Sequence, residues 1–160
     1  MVRAVKALIA LVVAGMLALS GCSGQNPNHA AVVDGAVIPF HEVDALVPFV
    51  QGESATAATQ LLVIARVGAA VARQQGAEFT EEERQGAAAG LPPELLTDPV
   101  LAGFATDYVT AVLVSQSLGQ EFLQAASAID VAVNPRLGSW DPETVSLMPG
   151  GSLSSPAPTS

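Results

Sequence analysis

The sequence predicts a mainly α-helical domain with a small two-stranded sheet. Two observations carry that expectation. Apolar residues recur at spacings of three and four along two long stretches, within 53–75 and 98–126. Two β-branched segments, Ala31–Ile38 and Ile129–Val133, lie outside those stretches, and neither has an obvious partner beside it. The economical solution pairs strand 31–38 with strand 129–134 and encloses three to five helices between them. Loop-closure entropy grows slowly enough with chain separation to allow so distant a pairing.

The elements follow in order. Ala31–Ile38 (AVVDGAVI) is apolar on both sides of Asp34-Gly35, a turn or bulge signal. Two three-residue strands make a poor independent hairpin, so one bent strand is expected. After Pro39, residues Phe40, Val43, Leu46 and Val47 carry a helical period that Pro48 ends or kinks. The first long helix is expected over Glu53–Gln75. Ser54 or Gly52 starts it, Leu61, Ile64, Val67 or Gly68, and Val71 stripe it, with Leu62 and Val63 widening the stripe, and Gly76 caps it. Thr80 with Glu83 is a capping box, and Glu81-Glu82-Glu83 complement the dipole of a short helix to about Ala89. That helix carries few large apolar groups and should be weakly held. Phe79, just before the cap, is a candidate staple. Leu91-Pro92-Pro93 turns the chain, and Glu94–Leu96 adds at most one helical turn. A second long helix is expected, capped by Asp98 or Thr97, with Pro99 early in it, running to about Ala126 and striped by Leu101, Phe104, Tyr108, Ala111, Ser115, Leu118, Phe122 and Ala125. Gly119 weakens it by ~1 kcal/mol relative to alanine.

The ends are different in kind. Arg3 and Lys6 precede an uncharged run, Ala7–Leu19, which is shorter than the ~20 residues that span a bilayer comfortably. The run closes on Leu19-Ser20-Gly21-Cys22. This pattern resembles the bacterial lipobox, which implies lipidation of the Cys22 thiol and cleavage between Gly21 and Cys22. Residues 1–21 are thus expected to be a lipoprotein signal peptide and 22–30 a flexible tether. Residues 31–141 form the folded domain, and 142–160, rich in Pro, Ser and Gly, form a disordered tail. A diacylated Cys22 supplies the two chains that stable anchoring needs, so the domain is expected on the extracytoplasmic face of a cell membrane. A single cysteine makes no internal disulfide.

Composition narrows the chemistry. Aromatic residues are only 4% of the chain, so its core must rely on alanine and valine. Beyond Cys22 the only strong bases are Arg66, Arg73, Arg84 and Arg136, against all 15 acids, with no lysine. Such a surface repels nucleic acid and anionic lipid, so membrane attachment must come from the lipid on Cys22. No catalytic residues, metal ligands or cofactor are expected. Glu81-Glu82-Glu83 reads as a solvated cap. His41 and Glu42 are adjacent on a helix and do not face each other. The serines Ser152, Ser154 and Ser155 have no histidine near them, and Gly86–Gly90 lacks the lysine of a phosphate loop. Asn134, Pro135, Arg136, Gly138 and Trp140 read as a structured turn locking the last strand.

Three segments carry a family resemblance. Ala31–Ile38 with helical Phe40–Leu46 resembles the opening of the SurA/PrsA-type N-terminal chaperone domain, a strand of form A-x-V-[ND]-G-x-x-I followed by a short helix. Gly76–Glu83 resembles that family's approach to a later helix. Val131–Asp141 (VAVNPRLGSWD) is similar to the closing segment of short actinobacterial lipoproteins carrying this domain. Members such as SurA and PrsA also carry a parvulin isomerase, and the interval Glu83–Pro99 is far too short to hold one. The resemblance implies a non-catalytic chaperone that binds unfolded or extended exported polypeptides in an apolar groove. Phe40, Leu46, Phe49, Leu61, Phe104 and Tyr108 are the candidate groove residues. A scaffold lipoprotein that docks one dedicated envelope partner is the alternative expectation.

Overall fold

The structure is a computed structural model that describes residues 28–148. The signal peptide, Gly21, Cys22, most of the tether and the tail from residue 149 onward lie outside the described residues. The described chain is mainly helical, with two small antiparallel sheets.

Strand β1 (His29–Val33) turns through Asp34-Gly35 into β2 (Ala36–Pro39). Both turn residues have positive φ, 49° and 78°, as the two-residue turn of a tight hairpin requires. The expected single bent strand is therefore a hairpin. It is not an isolated one, because β3 (Val131–Val133) lies on the other side of β1 and gives the order β2-β1-β3. The sheet has three strands where two were expected, and the third strand supplies the support that a lone hairpin lacks. The distant pairing is antiparallel, with Ala31, Val32 and Val33 opposite Val133, Ala132 and Val131. The Asp34 N–H donates to the Asp130 carbonyl and the Asn134 N–H to the Ala30 carbonyl, both at 2.8 Å. His29 and Ala30 belong to β1 and Ala30 is buried, so the folded region starts before the expected residue 31.

Helix α1 (Phe40–Leu46) buries Val43 and Leu46 and tightens into a 3-10 turn, Val47–Phe49, which accommodates Pro48 in its first turn. Helix α2 (Ala55–Gln75) starts at Ser54, whose hydroxyl accepts the Ala57 N–H at 3.4 Å. It ends at Gly76, φ 63°, where the Ala77 N–H reaches back to the Ala72 carbonyl at 2.9 Å, a Schellman cap. The helix is long and apolar enough to cross a membrane by composition, but most of its apolar window is buried within the fold. Leu62, Val63, Val67 and Val71 are in the core, while Leu61 and Ile64 are only half-buried.

Helix α3 (Glu81–Ala88) carries the full Thr80/Glu83 capping box and buries none of its residues. Helix α4 (Pro93–Thr97) is a short turn anchored by Leu95. The expected long helix over 98–126 is divided. Asp98 accepts from the N–H groups of Val100 (2.7 Å) and Leu101 (3.2 Å), and this turn delays the start of α5 to Ala102. Helix α5 (Ala102–Leu118) stops at Gly119, whose φ 55° and ψ −121° suit glycine alone, and α6 (Glu121–Ser127) follows as a separate helix. The apolar period continues across Gly119, which is why the break is hidden in the pattern.

Among the described elements, helices α2 and α5 make the most extensive contact. A Cβ placed on Gly68 of α2 would overlap the Cβ and Cα of Ala111, so the two backbones approach closely there. With so few aromatic side chains, a core of alanine and valine fills its volume by drawing the helices together.

The chain closes on a second hairpin, β4 (Ser139–Asp141) against β5 (Ser146–Met148). Residues 142–148, expected in the tail, are the turn and outer strand of this hairpin. Val145 and Leu147 are buried in the core and hold it there. Gly138, φ 141°, sits where a Cβ would overlap the Met148 carbonyl oxygen. The Asn134 side chain donates to the His29 carbonyl at 3.1 Å and accepts from the Arg136 N–H at 3.1 Å, tying this turn to the start of β1.

Candidate docking groove

The six residues expected to form an apolar groove separate into three groups. Leu46, fully buried, and Phe104, 1% exposed, are core side chains. This corrects their assignment, since neither presents a surface to a ligand. The reason is packing: Leu46 lies on the inward face of α1, and Phe104 fills space that the alanine-rich helices leave open. Phe40 and Tyr108 are half-buried and lean on the core, with Tyr108 stacked obliquely against Phe104 at 5.7 Å between ring centres. Phe49 and Leu61 remain accessible.

Leu61 lines an open groove of about 220 Å³ together with Val50, Ala57, Gln60 and Ile64. Phe49, next to Val50 in the chain, is 40% exposed on the 3-10 turn. The four α2 residues fall at spacings of three, one and three, which places them on one helical face. The walls are apolar apart from the Gln60 amide, so the groove suits one or two apolar side chains. Val50, Ala57, Gln60 and Ile64 were not singled out from the sequence. The signal was present in the 57/60/61/64 spacing, but Leu61 and Ile64 read equally well as core. The short turn through Pro48, which sets one wall against α2, is a tertiary feature.

Three ion pairs among the described residues tie elements of the framework together. The Arg66 guanidinium on α2 donates to the Asp107 carboxylate of α5 at 2.6 Å and to Glu42 of α1 at 3.4 Å. Arg66 Nε is buried and has no partner among the described residues. Burial pushes the Asp107 carboxyl above the ordinary aspartate range, and the charges of Arg66 and Arg73 oppose that shift without cancelling it. Glu42 is committed to Arg66, while His41 beside it is exposed. Arg73 pairs with Asp34 at 3.3 Å on the open surface, a contact of small energetic consequence. The Ser115 hydroxyl donates to the Val112 carbonyl within its own helix. Arg136 is exposed, and Trp140 is half-buried with its indole N–H unpaired among the described residues. Among the described residues no group of three or more His, Cys, Asp and Glu side chains converges as a metal site.

No protein-family model matches this chain, and neither a curated protein nor a solved structure matches it.

Proposed function

We propose that this chain is a membrane-anchored extracytoplasmic lipoprotein, held by lipid on Cys22, with a SurA-like N-terminal domain that binds extended segments of exported polypeptides without catalysis. The observation that carries this reading is the open apolar groove of Val50, Ala57, Leu61 and Ile64 beside exposed Phe49. An extended peptide presents alternate side chains to one surface, and a groove of this size takes one or two of them. The attraction would be weak and tolerant of sequence, as a holding function needs.

The test uses the full chain in detergent with an unfolded exported protein prone to aggregation. The chain should suppress aggregation in proportion to its concentration, and Phe49→Ser should lose most of that effect while keeping the helical circular dichroism. Absence of suppression by the unmodified chain overturns the reading. So does saturation at one to one by a single envelope protein with no effect on unfolded chains, which would establish a dedicated scaffold instead.

A further inference from the structure

A second concavity has different chemistry. It is a cleft of about 310 Å³ between α3 and α5, bounded by α4. That size is at the low end of small-molecule sites, which run from roughly 300 to 1,000 Å³. Ala88 of α3, Leu96 of α4, and Ala105 and Val109 of α5 supply apolar lining. One acid and one base also line it, Glu81 and Arg84, placed on one face of α3 by their spacing. They form no ion pair with each other, and each is held by a different neighbour. The Arg84 Nε–H donates to the Phe79 carbonyl at 3.4 Å, and one Glu81 carboxylate oxygen accepts from the Gln85 amide at 3.0 Å. The terminal nitrogens of Arg84 and the second Glu81 oxygen have no partner among the described residues.

We infer that this cleft binds a free apolar α-amino acid of about leucine size. Its carboxylate accepts from the Arg84 terminal nitrogens, its ammonium donates to Glu81, and its side chain rests on the apolar lining. Each part of the ligand answers a group that is at the cleft. A guanidinium anchored through Nε presents its other nitrogens as a fork that takes a carboxylate by charge-assisted hydrogen bonds. The Thr106 hydroxyl, also in the lining, spends its proton on the Ala102 carbonyl at 2.9 Å. Toward a ligand it is therefore an acceptor, as Glu81 is, and both suit an ammonium. Net charge selects in the same direction. Acids far outnumber bases in the chain, and such a surface opposes a net anion. A zwitterion brings a carboxylate to Arg84 without bringing net charge.

This inference is independent of the Phe49 groove, with which the cleft shares no residue. The isotope-labelled full chain in detergent is titrated with L-leucine, and backbone amide shifts are followed by NMR. Saturable shifts should be confined to the cleft segments of α3, α4 and the first half of α5. N-acetyl-leucine lacks the ammonium, leucinamide lacks the carboxylate and glycine lacks the side chain. Each should bind at least about tenfold more weakly than leucine, since each leaves a charged or apolar part of the lining unmatched. Arg84→Gln should weaken leucine binding by a similar factor, and Ala102→Trp, at an exposed position in the lining, should abolish it, both with unchanged helical circular dichroism. Absence of saturable shifts at the cleft overturns the proposal, as does leucine binding that survives Ala102→Trp. Equal binding of N-acetyl-leucine also overturns it, by showing that the cleft reads a carboxylate alone, as at a polypeptide C-terminus.

Discussion

Gly68 of α2 and Ala111 of α5 touch with no room between them for another carbon. This contact of small residues lies within the most extensive helix–helix packing among the described elements. Replacing Gly68 by alanine sets two effects against each other. Helix propensity favours alanine by at most ~1 kcal/mol. Overpacking against a backbone Cα costs about 1–3 kcal/mol, because main chain cannot swing aside as a flexible side chain can. The Gly68→Ala variant should therefore be less stable, with a lower urea midpoint. Adding Ala111→Gly should restore only part of the loss, since the new Cβ still meets the Cα of residue 111. A rise in midpoint for the single variant would mean that the helices are farther apart than described.

Gly138 is the corresponding point in the closing hairpin. With φ 141° and the Met148 carbonyl oxygen in the way, alanine there cannot keep the present path. Gly138→Ala should detach β5 while leaving the helices intact. Trp140, the chain's only tryptophan, reports this directly. Its emission should shift to the red and its quenching by iodide should rise, with far-ultraviolet circular dichroism nearly unchanged.

Asp107 provides a pH signature whose sign is opposite to that of an ordinary salt bridge. Burial raises its folded pKa above the ordinary value of 3.8, despite Arg66. The folded state thus binds this proton more readily than the unfolded state. The penalty for the charged form is fully present above the raised folded value and disappears as pH falls toward 3.8. The stability of the natural chain minus that of Asp107→Asn should therefore increase on acidification through that window. Urea midpoints measured at a series of pH values give the difference, and a decrease would refute the assignment. Arg66→Met removes the shared counter-charge and leaves Glu42 and Asp107 uncompensated. It should cost about 1–3 kcal/mol, less than a fully buried pair because all three side chains keep some solvent contact.

Helix α3 depends on its cap. Thr80 donates to Glu83 through its backbone N–H at 2.7 Å and its hydroxyl at 2.8 Å, which holds the Glu83 carboxyl below the ordinary glutamate range. That contribution is complete above the ordinary value of 4.5 and is lost as pH falls through the lowered folded value. Thr80→Ala should reduce amide-exchange protection in 81–88 by roughly tenfold. Protection in α2 should not change, because α3 contributes nothing buried to the core.

Local signals made much of this architecture legible. Ser54, Gly76 and the Thr80/Glu83 box mark helix ends through their own hydrogen bonds, so short stretches of sequence suffice to find them. The β1–β3 pairing follows from two β-branched segments that had nowhere else to go. The β4–β5 hairpin is harder to see because Ser139–Asp141 and Ser146–Met148 are three residues each and have no alternating run. What makes them strands is Val145 and Leu147 reaching the core. The division at Gly119 is concealed because the apolar period runs straight through it. The docking groove fails for a related reason. Periodicity marks Leu61, Phe104 and Leu46 alike as apolar helix positions, and only packing decides that Leu46 and Phe104 are covered while Leu61 is not.

The three-stranded sheet also sets a schedule. Its central strand, β1, is among the first folded elements to be synthesised, and the strand that completes it is among the last. The side-chain hydrogen bond from Asn134 to the His29 carbonyl spans 105 residues. At roughly 5–20 residues per second, β1 waits about 5–20 s for β3 to arrive. Until then one edge of β1 is unpaired and the helices have no finished sheet to rest on. The nascent chain therefore passes through a long interval in which it resembles the unfolded polypeptides it is proposed to hold, and its own β1 edge is the surface most in need of protection.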